Sequence, residues 1–124
     1  MNDAHILATR YIRSWNETDP LRRLALLEEI YTEHATYTDP MITAKGWEAI
    51  NATIGAVQKM FPGHVFGLEG EVDAHHDMMR FRWQLGEPGA HEPLVIGFDV
   101  AVLEDGRISR VCGFLDKVPV AVAA

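Results

Sequence analysis

The sequence lacks three features that would each indicate a particular class of protein. Only one of its 124 residues, Cys112, is a cysteine, so no intrachain disulfide can form and nothing indicates an oxidising compartment. No apolar run approaches the roughly 20 residues that a transmembrane helix needs, and no basic segment precedes an apolar one at the start of the chain. We therefore expect a cytoplasmic protein without a membrane partner.

Positive charge is also scarce. The chain has 11 lysine and arginine residues against 18 aspartate and glutamate residues, which gives a formal net charge of −7 at pH 7. Because phosphate backbones and anionic lipid surfaces attract basic proteins, this balance argues against nucleic acid or a membrane surface as the main partner. A neutral or weakly polar small molecule is an easier partner for such a chain.

The composition is that of an ordinary globular protein, with 48% hydrophobic and 23% charged residues. A chain of this length buries roughly two-thirds of the surface that its unfolded form exposes, so a real core is available. No repeat, linker or low-complexity segment divides it, and we expect one domain over residues 1–124. The apolar residues 118–124 at the C-terminus either pack on a neighbouring subunit or fray.

Three amphipathic helices are predicted from apolar residues that recur at steps of three and four. They span about residues 3–16, 20–30 and 46–60. On the first helix, Tyr11 shares the apolar stripe with Ala8 and Trp15, so its ring should point inward. A buried phenol needs a hydrogen-bond partner, which makes Tyr11 a residue of interest.

A short strand is predicted between the second and third helices. Thr36 and Tyr37 favour a strand, and Pro40 biases Asp39 toward an extended conformation, so Asp39 should lie at the strand end. From His64 onward the apolar residues alternate with a period of two, which indicates further strands. These strands span about residues 64–74, 78–86, 93–103 and 107–117.

Short turns between the later strands predict an antiparallel meander, so the fold class is α+β, with three helices packed on a strongly curved antiparallel sheet. The strand over residues 93–103 is apolar on both faces and should be central. Asp99 is the exception within it. An ionised carboxylate without a partner is costly to desolvate in such a place, so Asp99 is either satisfied by a partner or held neutral.

Tyr11, Asp39 and Asp99 are therefore the candidate catalytic residues. A carboxylate at an apolar site can act as a base, and a phenol and a neutral carboxylic acid can both donate hydrogen bonds to a developing oxyanion. Each residue also has a purely structural interpretation. Tyr11 can be a core aromatic, and Asp39 can be a turn residue that binds backbone amides near Pro40. The structural alternative for Asp99 is pairing with an arginine of an adjacent strand, namely Arg80, Arg82 or Arg110.

Large apolar side chains supply candidates for a ligand pocket, although each also suits the core. They are Trp15, Trp47, Met60, Phe61, Trp83 and Phe114. The six histidines do not form a metal motif, because His75 and His76 are adjacent and point to opposite faces if extended. We predict neither a metal nor an organic cofactor.

Five local segments carry a resemblance to a known family. They are residues 10–16 (RYIRSWN), 35–40 (ATYTDP), 46–50 (GWEAI), 97–100 (GFDV) and 105–108 (DGRI). Over nearly its whole length the chain resembles the nuclear transport factor 2-like superfamily, in particular SnoaL-like proteins and ketosteroid isomerases. The resemblance implies a cone-shaped fold in which helices close a curved sheet around a cavity.

On the isomerase pattern, Tyr11 takes the position of the oxyanion-binding tyrosine, Asp39 that of the general base before a proline, and Asp99 that of the protonated aspartic acid. Two positions depart from the pattern. Ile54 stands where the isomerases have a second tyrosine, and Val100 stands where a histidine usually follows the acid. The polar network implied by the resemblance is therefore shorter here.

The implied function is proton transfer alpha to the carbonyl of a neutral apolar ligand, without a cofactor. Proteins of this fold have several activities, so a non-catalytic small-molecule-binding protein is the alternative, and a cyclase or an epoxide hydrolase ranks lower. The resemblance and the apolar strands together predict a homodimer through the outer face of the sheet.

Overall fold

The computed structural model of the protein describes residues 3–119, so most of the apolar C-terminal segment lies outside the described residues. The helices are Asp3–Asn16 (α1), Pro20–Ile30 (α2) and Trp47–Met60 (α3). The strands are Tyr31–Thr38 (β1), Thr43–Lys45 (β2), Val65–His75 (β3), Met78–Gly86 (β4), Val95–Glu104 (β5) and Arg107–Lys117 (β6). None of the helices in this part of the chain is long and apolar enough to cross a membrane.

The predicted α+β architecture is confirmed, because three helices pack on one curved sheet with the strand order β2-β1-β6-β5-β4-β3. The sheet is mixed, however, and the expectation of a wholly antiparallel sheet was wrong. Strand β1 runs parallel to β6, with Tyr37 opposite Val111. These two strands are far apart in the sequence, and the short turns that predict hairpins carry no signal for such a distant pairing.

Helix α2 begins where the sequence provides a cap and a suitable first residue. The Asp19 carboxylate accepts a hydrogen bond from the backbone N–H of Arg22 at 3.3 Å, and Pro20 occupies the first helical position. The buried guanidinium of Arg23 then donates to the Gln58 side chain of α3 and to the backbone carbonyl of Glu17, both at 2.9 Å. This buried group fixes the three helices relative to one another.

Strand β5 is central, as the sequence predicts, and lies between β4 and β6. Asp99 is opposite Phe81 of β4 and opposite Gly113 of β6. Its side chain shares a face with the buried residues Val95 and Ala101, four and two positions away. This alternation turns the carboxyl toward the helices rather than toward the outer face of the sheet.

The segment around Asp39 forms a tight connection between two strands. Strand β1 ends at Thr38, and β2 begins at Thr43 and has only three residues. The backbone N–H of Asp39 donates to the carbonyl of Ile42 at 3.0 Å, which closes the loop. Strand β2 was absent from the sequence-based prediction because three residues are too few to establish an alternation.

Candidate functional site: a cavity between the helices and the sheet

A cavity of about 240 Å³ lies between the helices and the inner face of the sheet. Side chains from α1, α3 and five of the strands line it, and most of them are apolar. Met41, Ile42 and Met60 belong to the lining and are also exposed, so they mark its open end. The volume is below the roughly 300–1,000 Å³ of pockets for drug-sized ligands, which favours a compact ligand.

The structure brings Tyr11, Asp39 and Asp99 to this one cavity. Asp99 lies at its buried end with 2% of its surface exposed. The Tyr11 hydroxyl donates a hydrogen bond to Asp99 Oδ2 at 2.7 Å. Asp99 Oδ1 is buried and has no hydrogen-bond partner among residues 3–119. A buried carboxyl with one unpaired oxygen is unusual, since such groups are normally satisfied.

Burial raises the pKa of Asp99 to about 6, because removal of water penalises the charged form. Interactions with the Tyr11 and Trp83 side chains lower the pKa of Asp99, and the negative charge of Asp39 raises it further. Burial and the nearby Asp99 charge also raise the pKa of Tyr11 well above its usual value, so the phenol keeps its proton. The pair therefore combines a phenol donor with an acid that changes charge near neutral pH.

The structural alternative for Asp99, pairing with an arginine, is wrong. Arg80 Nε lies 3.2 Å from Asp73 Oδ2, and both side chains are exposed. Arg82 pairs with Glu69 of β3 and with Asp116 of β6, and Arg110 is exposed. All three arginines alternate onto the outer face of the sheet. The partner of Asp99 comes from a helix on the other side.

Asp39 lies at the more open end of the cavity and is half-buried. Its Oδ1 accepts hydrogen bonds from the backbone N–H groups of Met41 at 2.8 Å and Ile42 at 3.1 Å. Its Oδ2 accepts one from the Tyr37 hydroxyl at 2.7 Å. The hydrogen bonds from backbone amides that are expected if Asp39 is only a turn residue are therefore present. A carboxylate has about four lone-pair sites, so one site on Oδ2 is left for a proton or a ligand.

Tyr37 is a site residue that the sequence-based reasoning missed. It is 4% exposed, lines the cavity and donates to Asp39. Burial, followed by the Asp99 and Asp39 charges, raises the pKa of Tyr37 far above its usual value, so it acts as a donor. A signal was available, because residues two apart in a strand share a face and Tyr37 is two positions before Asp39.

Gly113 separates the two carboxyl groups. A Cβ atom at this position would lie 2.9 Å from Asp99 Oδ1 and 3.3 Å from the Cβ of Asp39. Real side chains essentially never approach as closely as the first of these distances, so any larger residue would displace one acid or both. The absence of a side chain on β6 is what allows both acids to lie beside the same cavity.

Four of the six predicted pocket residues line the cavity, namely Trp15, Met60, Phe61 and Trp83. Trp15 lies between two other aromatic rings of the lining, with centroid distances of 5.5 Å to Tyr37 and 5.3 Å to Phe66. Phe66 was not among the predicted residues, because β3 shows only a weak apolar alternation.

The two remaining predictions, Trp47 and Phe114, were wrong, since neither residue lines the cavity. Trp47 is in the first turn of α3, whose C-terminal half provides the lining, and its indole N–H donates to the Tyr31 carbonyl at 3.1 Å. Phe114 alternates with Gly113 and Leu115 and so points to the outer face, where it is 55% exposed.

Helices close one face of the curved sheet around an apolar cavity with a few converging polar groups, which is an α+β architecture. Comparison with known proteins gives the family. Residues 8–111 match the model of the SnoaL-like domain, and the chain belongs to the SnoaL-like family.

A solved structure of the same family, from Agrobacterium tumefaciens strain C58, is 38% identical to this chain. That protein is provisionally named an isomerase, the match covers 94% of this chain and 99% of that one, and the TM-score is 0.88.

More distant structures show the fold alone. A protein from Kribbella flavida, provisionally named a ketosteroid isomerase, is 18% identical over 94% of this chain and 79% of its own, with a TM-score of 0.69. A SnoaL-like protein of unknown function from Burkholderia thailandensis is 16% identical over 91% and 94%, with a TM-score of 0.71. No protein with curated annotation matches the chain.

Proposed function

We propose that this SnoaL-like protein is an isomerase that transfers a proton from the carbon alpha to a carbonyl group in a neutral, apolar ligand. The observation that carries the proposal is the hydrogen bond from Tyr11 to the buried acid Asp99, in the same cavity as the carboxylate of Asp39. A base and a pair of oxyanion donors are the two parts that enolate chemistry requires. The isomerase pattern to which the sequence is similar supports the same roles.

The first step is removal of the alpha proton by Asp39. The free lone pair on Asp39 Oδ2 accepts the proton, the C–H electrons form a carbon–carbon double bond, and the carbonyl π electrons move to the oxygen. The resulting dienolate is then protonated by the Asp39 carboxylic acid at the gamma carbon. The net reaction converts a β,γ-enone into its conjugated isomer and restores the carboxylate.

Tyr11 and Asp99 stabilise the dienolate oxygen, and the protonation state of Asp99 decides whether they can. When Asp99 is ionised, the single hydroxyl proton of Tyr11 is bonded to it. When Asp99 is protonated, its own O–H can donate to the phenol oxygen, and Tyr11 is free to donate to the ligand. Because the pKa of Asp99 is raised to about 6, turnover should fall as the pH rises through 6.

The test is the turnover of a compact β,γ-enone, monitored by the ultraviolet absorbance of the conjugated product. Asp39→Asn keeps an oxygen for the loop amides but removes the base, so we expect turnover to fall by roughly 10²–10⁴-fold. Asp73→Asn, on the outer face, is the matched control and should be unaffected. Equal turnover by Asp39→Asn and the wild type would show that Asp39 is not the general base.

The second candidate function is small-molecule binding without catalysis. It is favoured by the three hydrogen bonds that Asp39 accepts, since the same contacts would be needed if the residue only organised the loop. Binding of an enolate-mimicking phenol with no turnover of any enone would support this function. An epoxide hydrolase is less favoured, because none of the described residues that line the cavity is an arginine.

We also propose that the protein is a homodimer through the outer face of the sheet. Phe98 and Phe114 lie together on that face, with ring centroids 6.4 Å apart, and Phe114 is 55% exposed. Contiguous apolar patches on a protein surface mark interaction sites, and this pair is the aromatic part of such a patch. Sedimentation at tens of micromolar tests the proposal, and a monomer for both the wild type and Phe114→Asp would contradict it.

A further inference from the structure

The wall of the cavity is aromatic over a continuous stretch. Trp15 lies 5.3 Å from Phe66, which lies 5.4 Å from Trp83, each measured between ring centroids. On its other side, Trp15 contacts Tyr37 at 5.5 Å. All four rings line the cavity that also contains Asp39 and Asp99. The faces of such rings carry partial negative charge and attract cations.

The same cavity holds two acidic groups and no basic one. Among the described residues of the lining, Asp39 and Asp99 are the only acids, and no lysine, arginine or histidine is present. Asp99 Oδ1 is buried and has no partner in the part of the chain that the structure describes. The ionised form of Asp99 therefore lies beside an aromatic wall without a positive charge to compensate it. Such an arrangement is costly unless something neutralises it.

We propose that the cavity binds apolar organic cations, of the class of quaternary ammonium ions and protonated tertiary amines, with Asp99 as the counter-ion and the aromatic wall as the lining. The cation supplies the positive charge that the protein does not provide. This inference goes beyond the proposed isomerase function, because it concerns the charge of the ligand and requires no reaction.

The groups around Asp99 make its charge the variable that controls cation binding. They are Tyr11 on α1, Tyr31 and Tyr37 on β1, Asp39 after β1, and Trp83 on β4. Burial raises the pKa of all three tyrosines above the ordinary value of 10, so none of them ionises between pH 5 and pH 8. Asp99 changes charge near pH 6, so cation binding should be stronger at pH 8 than at pH 5.

The experiment compares choline with 3,3-dimethylbutan-1-ol, two probes of nearly the same shape that differ by a positively charged nitrogen in place of a carbon. Binding is followed by the intrinsic fluorescence of Trp15 and Trp83, which line the cavity, and by calorimetry. We expect choline to bind at least tenfold more tightly than the neutral isostere at pH 8. We expect that preference to be smaller at pH 5, although the charge of choline itself does not change.

Two variants assign the effect to the site. Asp99→Asn should sharply reduce the preference for the cation at pH 8, because it removes the buried charge beside the aromatic wall. Asp116→Asn, an exposed acid on the outer surface, should keep the full preference. If Asp99→Asn does not fold, the pH comparison on the wild-type protein still decides. Equal affinity for the two probes at pH 8, or an undiminished preference in Asp99→Asn, would overturn the proposal whether or not an enone is turned over.

Discussion

Asp39 and Asp99 face the same cavity from two different structural settings. Asp39 is half-buried on a loop, where its oxygens accept three hydrogen bonds, two of them from backbone N–H groups. Asp99 is 2% exposed in the central strand, where it accepts one hydrogen bond from Tyr11 and keeps one oxygen unpaired. The residue type is the same, and only the surroundings differ.

The comparison shows how one fold gives two different environments to one type of side chain. Hydrogen bonds from several donors stabilise an ionised carboxylate, whereas burial with few donors stabilises the neutral acid. The loop end of the cavity thus suits a base, and the sheet end suits a donor or a titratable counter-ion. Gly113 lies between the two acids, and because it has no side chain it leaves room for both carboxyl groups.

Among the changes at the sheet end of the cavity, the largest expected effect comes from removing the Tyr11 donor. Tyr11→Phe deletes the hydroxyl that bonds Asp99, and we expect enone turnover to fall by about 10²–10³-fold, as for loss of one oxyanion donor. Because the Tyr11 hydrogen bond lowers the pKa of Asp99, that pKa should rise in the variant. Steady-state kinetics over pH 5–8 measure both changes.

Tyr31→Phe is the matched control for this prediction. Tyr31 is fully buried near Tyr11, with ring centroids 6.4 Å apart, but its hydroxyl has no hydrogen-bond partner among residues 3–119. Its loss should change turnover by less than about threefold, since no hydrogen bond is broken. An equal loss of turnover in the two variants would mean that packing, rather than the hydroxyl, explains the role of Tyr11.

The second effect is on stability. A folded-state pKa of about 6 against an ordinary value of 3.8 means that the native protein binds the Asp99 proton more tightly than the unfolded chain. This group therefore makes its full contribution to stability below pH 3.8, and the contribution is lost as the pH rises through 6. The loss should be roughly 3 kcal/mol, at 1.36 kcal/mol per pKa unit.

Denaturant unfolding of the wild type and Asp99→Asn between pH 4 and pH 7 isolates this contribution, since all other groups are shared. The free energy of unfolding of the wild type should decrease relative to that of the variant as the pH rises. A difference between the two proteins that does not vary with pH would contradict the assigned state of Asp99.

A smaller effect is expected from filling the space between the acids. Gly113→Ala places a methyl group 2.9 Å from Asp99 Oδ1, and overpacking of this kind costs about 1–3 kcal/mol. Gly67→Ala is the control, because a Cβ on that strand residue meets no atom within 4 Å. The melting temperature of Gly113→Ala should be lower than that of Gly67→Ala. Equal melting temperatures would show that the added methyl group fits between the two acids without destabilising the protein.

Much of the fold was predictable from local patterns. The helices follow from apolar steps of three and four, and the position of β5 follows from its apolar faces. Asp99 was identifiable because an acid in an apolar central strand is rare. The inward placement of Tyr11 came from the stripe that it shares with Trp15, and the structure buries both residues.

The errors share a physical origin, which is that local periodicity does not report distant neighbours. The parallel pairing of β1 with β6 joins segments about 75 residues apart, and it determines where Asp39 and Gly113 meet. The pattern placed Trp47 on an inward face, but it does not show which half of α3 reaches the cavity. Phe114 was assigned from its size alone, against the alternation of its strand.

The most direct test of the difference between the two acids is carbon-13 NMR titration of the Asp99 carboxyl, assigned by comparison with Asp99→Asn. The structure predicts a titration midpoint near pH 6, with an upward shift in Tyr11→Phe. A midpoint near 4, the value of an ordinary exposed aspartate, would show that burial does not set the state of Asp99. The distinct roles proposed for the two acids would then have no basis.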